Sequence, residues 1–477
     1  MNRIVPVLEK SLLSRDAFRV INLIICLLYF MPSTFNVTNI PMKIAFAWGG
    51  IIVLYEVFIK KNFFKMRFSW LLIGAMISFI LTIIINRENF LIPSIYNFGY
   101  LLITLIVIFP ADFSQSEEEK KKKMVYFNNV FIIIIFLAAL ISIYQFIFLI
   151  SYHVPTGTPG LLARQGFIEH RLFGVYTSPN VGAMFGYTSI ILSLISVLIS
   201  KITKTIRVFY MMNFIVQIFY ITLSSSRGAQ VVICSFLVLF LLLFANSKFR
   251  KSIREVLPVK IKWMVSILLV LLVYFSFGTN YAKDFLATIP VSIDRKVEVI
   301  ESNESDKTPL PEKEVILQHS SDNSEISAGR FTIWKAALKV IRPTLLFGYG
   351  ETDFYGNSDA KFLKKVDLDT TDVNELKRAH GNMHNGFLQV LVSSGIIAFI
   401  CIYAFYVLNI FSLLKTFFRS KVNYAFLGIV LIFILSIFID EMVEAHILFN
   451  KRDVISIVFW YYLGSISYLY LKKGELI

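Results

Sequence analysis

Charge is scarce in this 477-residue chain. Only 17% of its residues are Asp, Glu, Lys or Arg, while 56% are hydrophobic. A soluble domain carries about a quarter charged residues and at most half apolar ones, so the balance excludes a water-soluble globular protein. Cysteine is scarcer still. Cys26, Cys234 and Cys401 each lie inside an apolar run, which leaves no basis for a disulfide framework or a thiolate metal site and suits small buried hydrophobes. No A-x-A-like cleavage site follows the first apolar run, and many more such runs come after it. The N-terminal stretch therefore reads as a first transmembrane helix, not a cleaved signal. No internal repeat is visible.

What is abundant is aromatic and apolar: 46 Phe and 22 Tyr, with a mean hydropathy of +0.67. Apolar stretches long enough to span ~30 Å as helices occur near 17–33, 43–59, 69–85, 91–110, 125–151, 177–200, 207–224, 228–245, 262–278, 386–411, 423–439 and 454–471. The expected fold is an all-α polytopic membrane protein with about 12 transmembrane helices. Loop charge alternates along the chain. Basic clusters such as Lys60/Lys61/Lys65/Arg67, Lys120 to Lys123 and Lys248/Arg250/Lys251/Arg254 alternate with loops holding few Lys or Arg. Short cytoplasmic loops hold positive charge, so both termini are expected in the cytoplasm. The net charge of +15 is then mostly a topology signal and no sign of nucleic-acid binding.

The expected organisation is a membrane domain over 1–278 with helices one to nine, a large outer loop over 279–385, and a second membrane segment over 386–477 with helices ten to twelve. The loop holds 17 acidic and 14 basic residues up to position 384. Within it, 294–327 is rich in Ser, Glu, Lys and Pro and reads as a flexible insert. Phe331, Trp334, Leu338 and Ile341 then recur at helical spacing, which predicts an amphipathic helix near 328–342, lying on the outer leaflet.

Polar residues at the outer membrane edge are functional candidates, because burying charge in lipid is costly. Arg171 precedes an apolar helix that Pro179 and Asn180 open; a snorkelling arginine and a proline-led helix start explain it equally. Arg227 sits in the tight turn SSSRGAQ (224–230), among hydroxyls that suit an anion, or it is only an interfacial turn. Arg330 and Trp334 precede LLFGYG (345–350), whose Gly348 and Gly350 permit a tight turn near a ligand. In HGNMHNGFLQVLVSSG (380–395), His384 and Asn385 enter helix ten, with Asn385 a candidate N-cap. Glu441 and Glu444, one helical turn apart, are expected to face the same way. The Asp-x-Asp in DLDTTD (367–372) reads as a solvated acidic loop. Three arginines and a histidine without a metal cage suit a diphosphate leaving group and activation of a hydroxyl, since histidine ordinarily titrates near neutrality.

Four motifs occur in order: R-x-x-G-x-x-x-x-P-N (Arg171–Asn180), S-R-G (Ser226–Gly228), R-x-x-x-W with a later G-x-G (Arg330–Gly350), and H-N-x-x-L-x-x-x-x-x-x-G (His384–Gly395). Together they resemble the bacterial O-antigen ligase and polysaccharide polymerase superfamily over about 165–450. Ala398 stands where a second glycine often follows the last motif. The resemblance implies a GT-C-like glycosyltransferase that needs no cofactor or metal and uses an undecaprenyl-diphosphate-linked glycan donor at the outer face of the membrane. Arg171, Arg227 and Arg330 would hold the diphosphate and His384 would act at the acceptor hydroxyl. Asn180, Trp334, Asn385 and Glu444 would support them. The acceptor would be a glycan or a lipid, with a chain-length regulator and a flippase as further partners. A polymerase of O-antigen, capsule or exopolysaccharide repeat units is the favoured expectation. A ligase acting on lipid A core or protein is the close alternative, and a transporter of lipid-linked sugars or a scaffold the more distant ones.

Overall fold

The computed structural model describes residues 12–155, 162–257, 259–301, 329–355, 366–419 and 423–471. Its helices are α1 Arg15–Tyr29, α2 Phe35–Tyr55, α3 Ser69–Ile85, α4 Arg87–Leu102, α5 Glu117–Ile147, α6 Pro179–Ile199, α7 Lys204–Ser224, α8 Arg227–Phe244, α9 Ser247–Val256, α10 Ile261–Val273, α11 Thr279–Glu301, α12 Arg330–Ile341, α13 Thr370–Ala379, α14 Gly386–Arg419, α15 Tyr424–Asp440 and α16 Val454–Ile466. Each of the twelve apolar runs forms a helix. By length and composition, eight helical stretches among the described residues are fit to cross a membrane. Ser69–Ile85, Tyr424–Asp440 and Val454–Tyr470 are apolar but shorter. The chain is thus a mostly helical polytopic membrane protein, and the expected count of twelve exceeds the eight that meet this measure. It divides into two compact units. One comprises Met1–Cys26, Ile40–Lys123 and Glu325–Ile477, the other Leu27–Asn39 and Met124–Ser324.

In the second unit, a small antiparallel sheet interrupts the helices: β1 Ser151–Pro155, β2 Leu162–Ile168 and β3 Arg171–Gly174, in the order β1-β2-β3. The sequence reading left this stretch as a loop. The turn from β2 to β3 is Glu169-His170, and both residues are left-handed, at φ 53° and 61°. Such a tight hairpin turn ordinarily advertises itself with Asn-Gly or Asp-Gly, and here neither is present. Ser178 caps α6 by accepting from the Val181 amide at 3.2 Å, with Pro179 at the first helical position, as expected. Helices α6 and α7 are joined by buried amides and hydroxyls, among them Asn213 Nδ2 donating to Ser189 Oγ and Ser193 Oγ at 3.0 and 3.1 Å. Such bonds hold helices together where no water competes.

The ninth apolar run does not end where its hydropathy does. After α10, one wide turn (Tyr274–Gly278) leads directly into α11, and the membrane-length stretch is Ile261–Pro290. Thr279, Lys283, Leu286 and Pro290 form its buried stripe. Their spacing is helical, but two of the four are polar, so hydropathy alone hides it. The expected insert 294–327 begins inside this helix. Beyond Glu301 it lies outside the described residues.

In the first unit, α3 packs along α14. Helix α14 is broken at Gly395, whose φ is 71°. The backbone groups freed by the break are satisfied by the segment 345–350. Ile396 N donates to the Leu345 carbonyl at 2.8 Å, while Tyr349 N and Gly350 N donate to the carbonyls of Val392 and Ser393 at 2.9 and 2.8 Å. Asn86 and Asn97 add donors to the carbonyls of Gly348 and Gly350 at 2.9 and 2.7 Å. Unpaired backbone costs several kcal/mol in hydrocarbon, so this exchange is what lets a non-helical strand lie beside a broken helix. Gly348 and Gly350, expected to permit a tight turn, are both left-handed within this segment. A Cβ on Gly348 would lie 2.6 Å from Gly395 N and 2.7 Å from Ser394 N, so that glycine serves contact with α14. With its φ at 69°, Gly348→Ala is expected to cost roughly 1–3 kcal/mol, read as a lower melting temperature of the detergent-purified chain.

Helix α12 forms where the amphipathic helix was expected, but with a different buried face. Ile333, Ala336, Ala337, Val340 and Ile341 are buried against α13 and α14, whereas Phe331 and Leu338 are 64% and 49% exposed. The buried stripe keeps helical spacing, but its two alanines carry little hydropathy, and the bulky residues misdirected the reading. The acidic loop 367–372 is also not simply solvated. Asp369 and Asp372 form a capping box that opens α13, Asp372 is buried, and both pair with Lys339.

Candidate functional site

The first unit gathers five of the expected site residues. His384 stands just ahead of α14 in a left-handed conformation, φ 46°, which few residues other than Gly, Asn, Asp and His adopt readily. Asn385 caps the helix: its Oδ1 accepts from the Leu388 amide at 3.0 Å, and its Nδ2 donates to the Met442 carbonyl, also at 3.0 Å. Trp334, on α12, shares its indole N–H between the carbonyls of Met383 and His384, at 3.1 and 3.2 Å. The strained turn is thus held from both sides.

Glu444 is the centre of this cluster. Its Oε1 accepts from Arg330 Nη2 at 2.5 Å and its Oε2 lies 2.9 Å from His384 Nδ1. Burial raises the cost of its charge, but the hydrogen bond from His384 and the charges of His384 and Arg330 outweigh that, and its carboxyl is held at about 2. In the neutral form of the ring, Glu444 as acceptor places the proton on His384 Nδ1 and leaves Nε2 with a lone pair. Such a carboxylate–histidine pair fixes the tautomer a general base needs. Arg330, expected to face a diphosphate, engages Glu444 through one nitrogen of its guanidinium.

Glu441 does not share this face. Helix α15 ends at Asp440, and the chain turns, so the helical spacing assumed for Glu441 and Glu444 does not apply. The Glu441 Oε1 accepts from the amides of His446 and Ile447 at 2.6 and 3.0 Å, and its backbone carbonyl accepts from Gly386 N at 2.7 Å. A Cβ on Gly386 would lie 1.7 Å from Glu441 Oε2, so only glycine admits the carboxyl there. Burial pushes Glu441 up to about 8. Two carboxyls three residues apart are driven to opposite protonation states by their surroundings. Because Glu441 binds its proton more tightly folded than unfolded, it favours folding at low pH, and that contribution is lost as pH rises from about 4.5 through about 8. Glu441→Gln is expected to flatten that decline when melting temperature is followed across this pH range. An equal decline in both proteins would assign the loss to other groups.

His446 is structural. Its Nδ1 lies 2.8 Å from Asp453 Oδ2, and its Nε2 makes an ion-pair contact of 3.1 Å with Asp440. Burial opposes its charge, but the fields of Asp453 and Asp440 raise it well above the ordinary value. Asp453 also caps α16 through the Ile455 amide at 2.7 Å.

The second unit gathers Arg171, Asn180 and Arg227. The hairpin delivers Arg171 at the first position of β3. Its Nε donates to the carbonyl of Ser224, the last residue of α7, and its Nη2 to Asn180 Oδ1, both at 2.9 Å. Burial, with the nearby Arg227 charge as a further contributor, lowers its guanidinium to about 10, although Tyr220 and Glu169 act the other way; it remains a cation at neutral pH. Ser225 turns left-handed at φ 53°, and Ser226 caps α8 by accepting from the Ala229 amide at 3.4 Å. Arg227, at the first position of α8, is exposed and pairs with no carboxylate among the described residues. Helix N-termini and guanidinium groups both favour anions. Lys283, on α11, is buried, and the charges of Arg171 and Arg227 act on it. The sequence reading left it in the outer loop. The signal that marks it is a single lysine one turn past an apolar run, in phase with Thr279.

Among the described residues no group of His, Cys, Asp and Glu is arranged to hold a metal ion. Residues 212–403 match the family model described as O-antigen ligase. The match takes in Arg227, Arg330, Trp334, His384 and Asn385, while Arg171, Asn180 and Glu444 lie outside it. It supports glycan transfer of the ligase or polymerase type. No curated protein matches the chain.

Proposed function

We propose that this chain, which carries the O-antigen ligase family's domain over residues 212–403, polymerises undecaprenyl-diphosphate-linked repeat units at the outer face of the bacterial inner membrane. The observation that carries the chemistry is Glu444 bridging Arg330 and His384. In this reading, the acceptor hydroxyl gives its proton to His384 Nε2 as its oxygen bonds to the anomeric carbon of the donor sugar. The bond from that carbon to the phosphate oxygen breaks, and the electron pair leaves with the lipid diphosphate. Arg171 and Arg227 take up the diphosphate charge. Arg330 keeps Glu444 ionised and oriented, and its remaining N–H groups are available to phosphate oxygens. Arginine forks suit this work because they bind phosphate oxygens in pairs and stay charged. Both termini lie in the cytoplasm, in keeping with the basic loops.

The test is glycan analysis of a deletion strain complemented with the wild-type chain or with Arg227→Ala. The variant is expected to lose at least roughly tenfold of its polymer, the scale of one charge-assisted contact, and to accumulate a single lipid-linked repeat. Full-length chains left unattached on the lipid carrier would instead identify a ligase acting on lipid A core or protein. Wild-type glycan would sink the assignment of Arg227 to the donor.

A further inference from the structure

We infer that Lys283 is a third cation of the donor site and binds the diphosphate together with Arg171 and Arg227. This rests on the reading of that arginine pair as the diphosphate site. Lys283 is only 8% exposed. Its Nζ reaches Asn280 Oδ1 at 3.5 Å, and no carboxylate lies within ion-pair distance of it among the described residues. A lysine near a membrane edge ordinarily stretches its ammonium into water, whereas this side chain lies mostly out of solvent. The charges acting on it are those of Arg171 and Arg227, with the adjacent, exposed Asp284 as a weaker counter-charge. The three like charges, one of them buried, repel by more than Asp284 offsets at Lys283, and a further anion joining them would relieve that repulsion. Their elements are also tied together. Gln230 Nε2, in the first turn of α8, donates to Thr279 Oγ1 at 3.3 Å, and Thr222 Oγ1 and Tyr274 Oη lie 2.7 Å apart. The start of α11 is therefore fastened to the serine turn that presents Arg227, and Lys283 follows one helical turn later. A lipid diphosphate carries the two or more negative charges that would make this arrangement favourable, with the α8 N-terminus adding its partial charge.

The experiment uses the full chain in detergent, with undecaprenyl diphosphate and inorganic diphosphate as probes. Lys283→Met keeps most of the side-chain length and removes the charge. The ligand-free variant is expected to melt higher than wild type, because a repulsion has been removed, while its affinity for both probes falls roughly tenfold or more. Lys283→Arg is expected to recover most of that affinity. A purely structural lysine would give the reverse pattern, with a lower melting temperature for Lys283→Met and unchanged affinity, and that result overturns the inference. So does wild-type affinity in Lys283→Met when Arg227→Ala has lost it, which would leave the arginine site standing. Unchanged binding in both variants would overturn the donor-site reading as well.

Discussion

His384→Ala is expected to lower glycan transfer by about 10²–10⁴-fold, the usual worth of a positioned general base, with little loss of folded protein. The fold tolerates the change because the imidazole side chain is 32% exposed and, among the described residues, its hydrogen bond runs to Glu444. The cap of α14 belongs to Asn385 and the turn is held through the His384 carbonyl, neither of which needs the ring. The backbone sets one condition: at φ 46°, alanine pays a left-handed penalty of roughly 1 kcal/mol that asparagine largely escapes. His384→Asn therefore serves as the companion variant, matched in backbone and lacking the base. Glu444→Gln separates the base from its orientation. It can accept one of the two hydrogen bonds but not hold both partners by charge, so its loss should be smaller than that of His384→Ala, and removing both should cost little more than removing His384 alone. Such non-additivity marks groups that act as a unit. Transfer at the wild-type rate by both His384 variants would exclude the imidazole from the chemistry.

How much of this was legible beforehand varies with what each feature depends on. The helices were, because a helix in lipid satisfies its own backbone and leaves an apolar run as its trace. The Asn385 cap and the Pro179 start were also readable, since caps are local. The continuation of the ninth helix through Thr279 and Lys283 was not, because its polar residues are buried by neighbours distant in sequence. The hairpin that presents Arg171 was hidden by its Glu169-His170 turn. Glu444 was read only as a supporting residue paired in direction with Glu441. Its place between Arg330 and His384 depends on the chain leaving the helix at Asp440, which apolar periodicity does not report. Gly348 and Gly395 were each visible as motif glycines, but that they meet one another required the broken helix to be seen.

Arg171→Lys is expected to cost about tenfold to hundredfold in transfer although it preserves the charge. The guanidinium spans two acceptors at once, Nε to the Ser224 carbonyl and Nη2 to Asn180, each at 2.9 Å. An ammonium is a single point on a flexible stem and cannot hold both in one plane. The Ser224 residue is fully buried and ends α7, so its carbonyl has few other donors. Leaving it unpaired costs about 1–3 kcal/mol, and Arg171→Ala is expected to show that cost in full as a drop in melting temperature. Because Ser225 and Ser226 follow directly, movement at Ser224 also shifts the turn that presents Arg227. The two arginines therefore should not behave as independent contacts: Arg171→Ala with Arg227→Ala is expected to lose less than the sum of the single losses, both in transfer and in affinity for undecaprenyl diphosphate. Strictly additive losses would mean that Arg171 contacts the donor without positioning Arg227. An Arg171→Lys enzyme with wild-type transfer would show that charge alone is required at this position and that the fork to Ser224 and Asn180 is incidental.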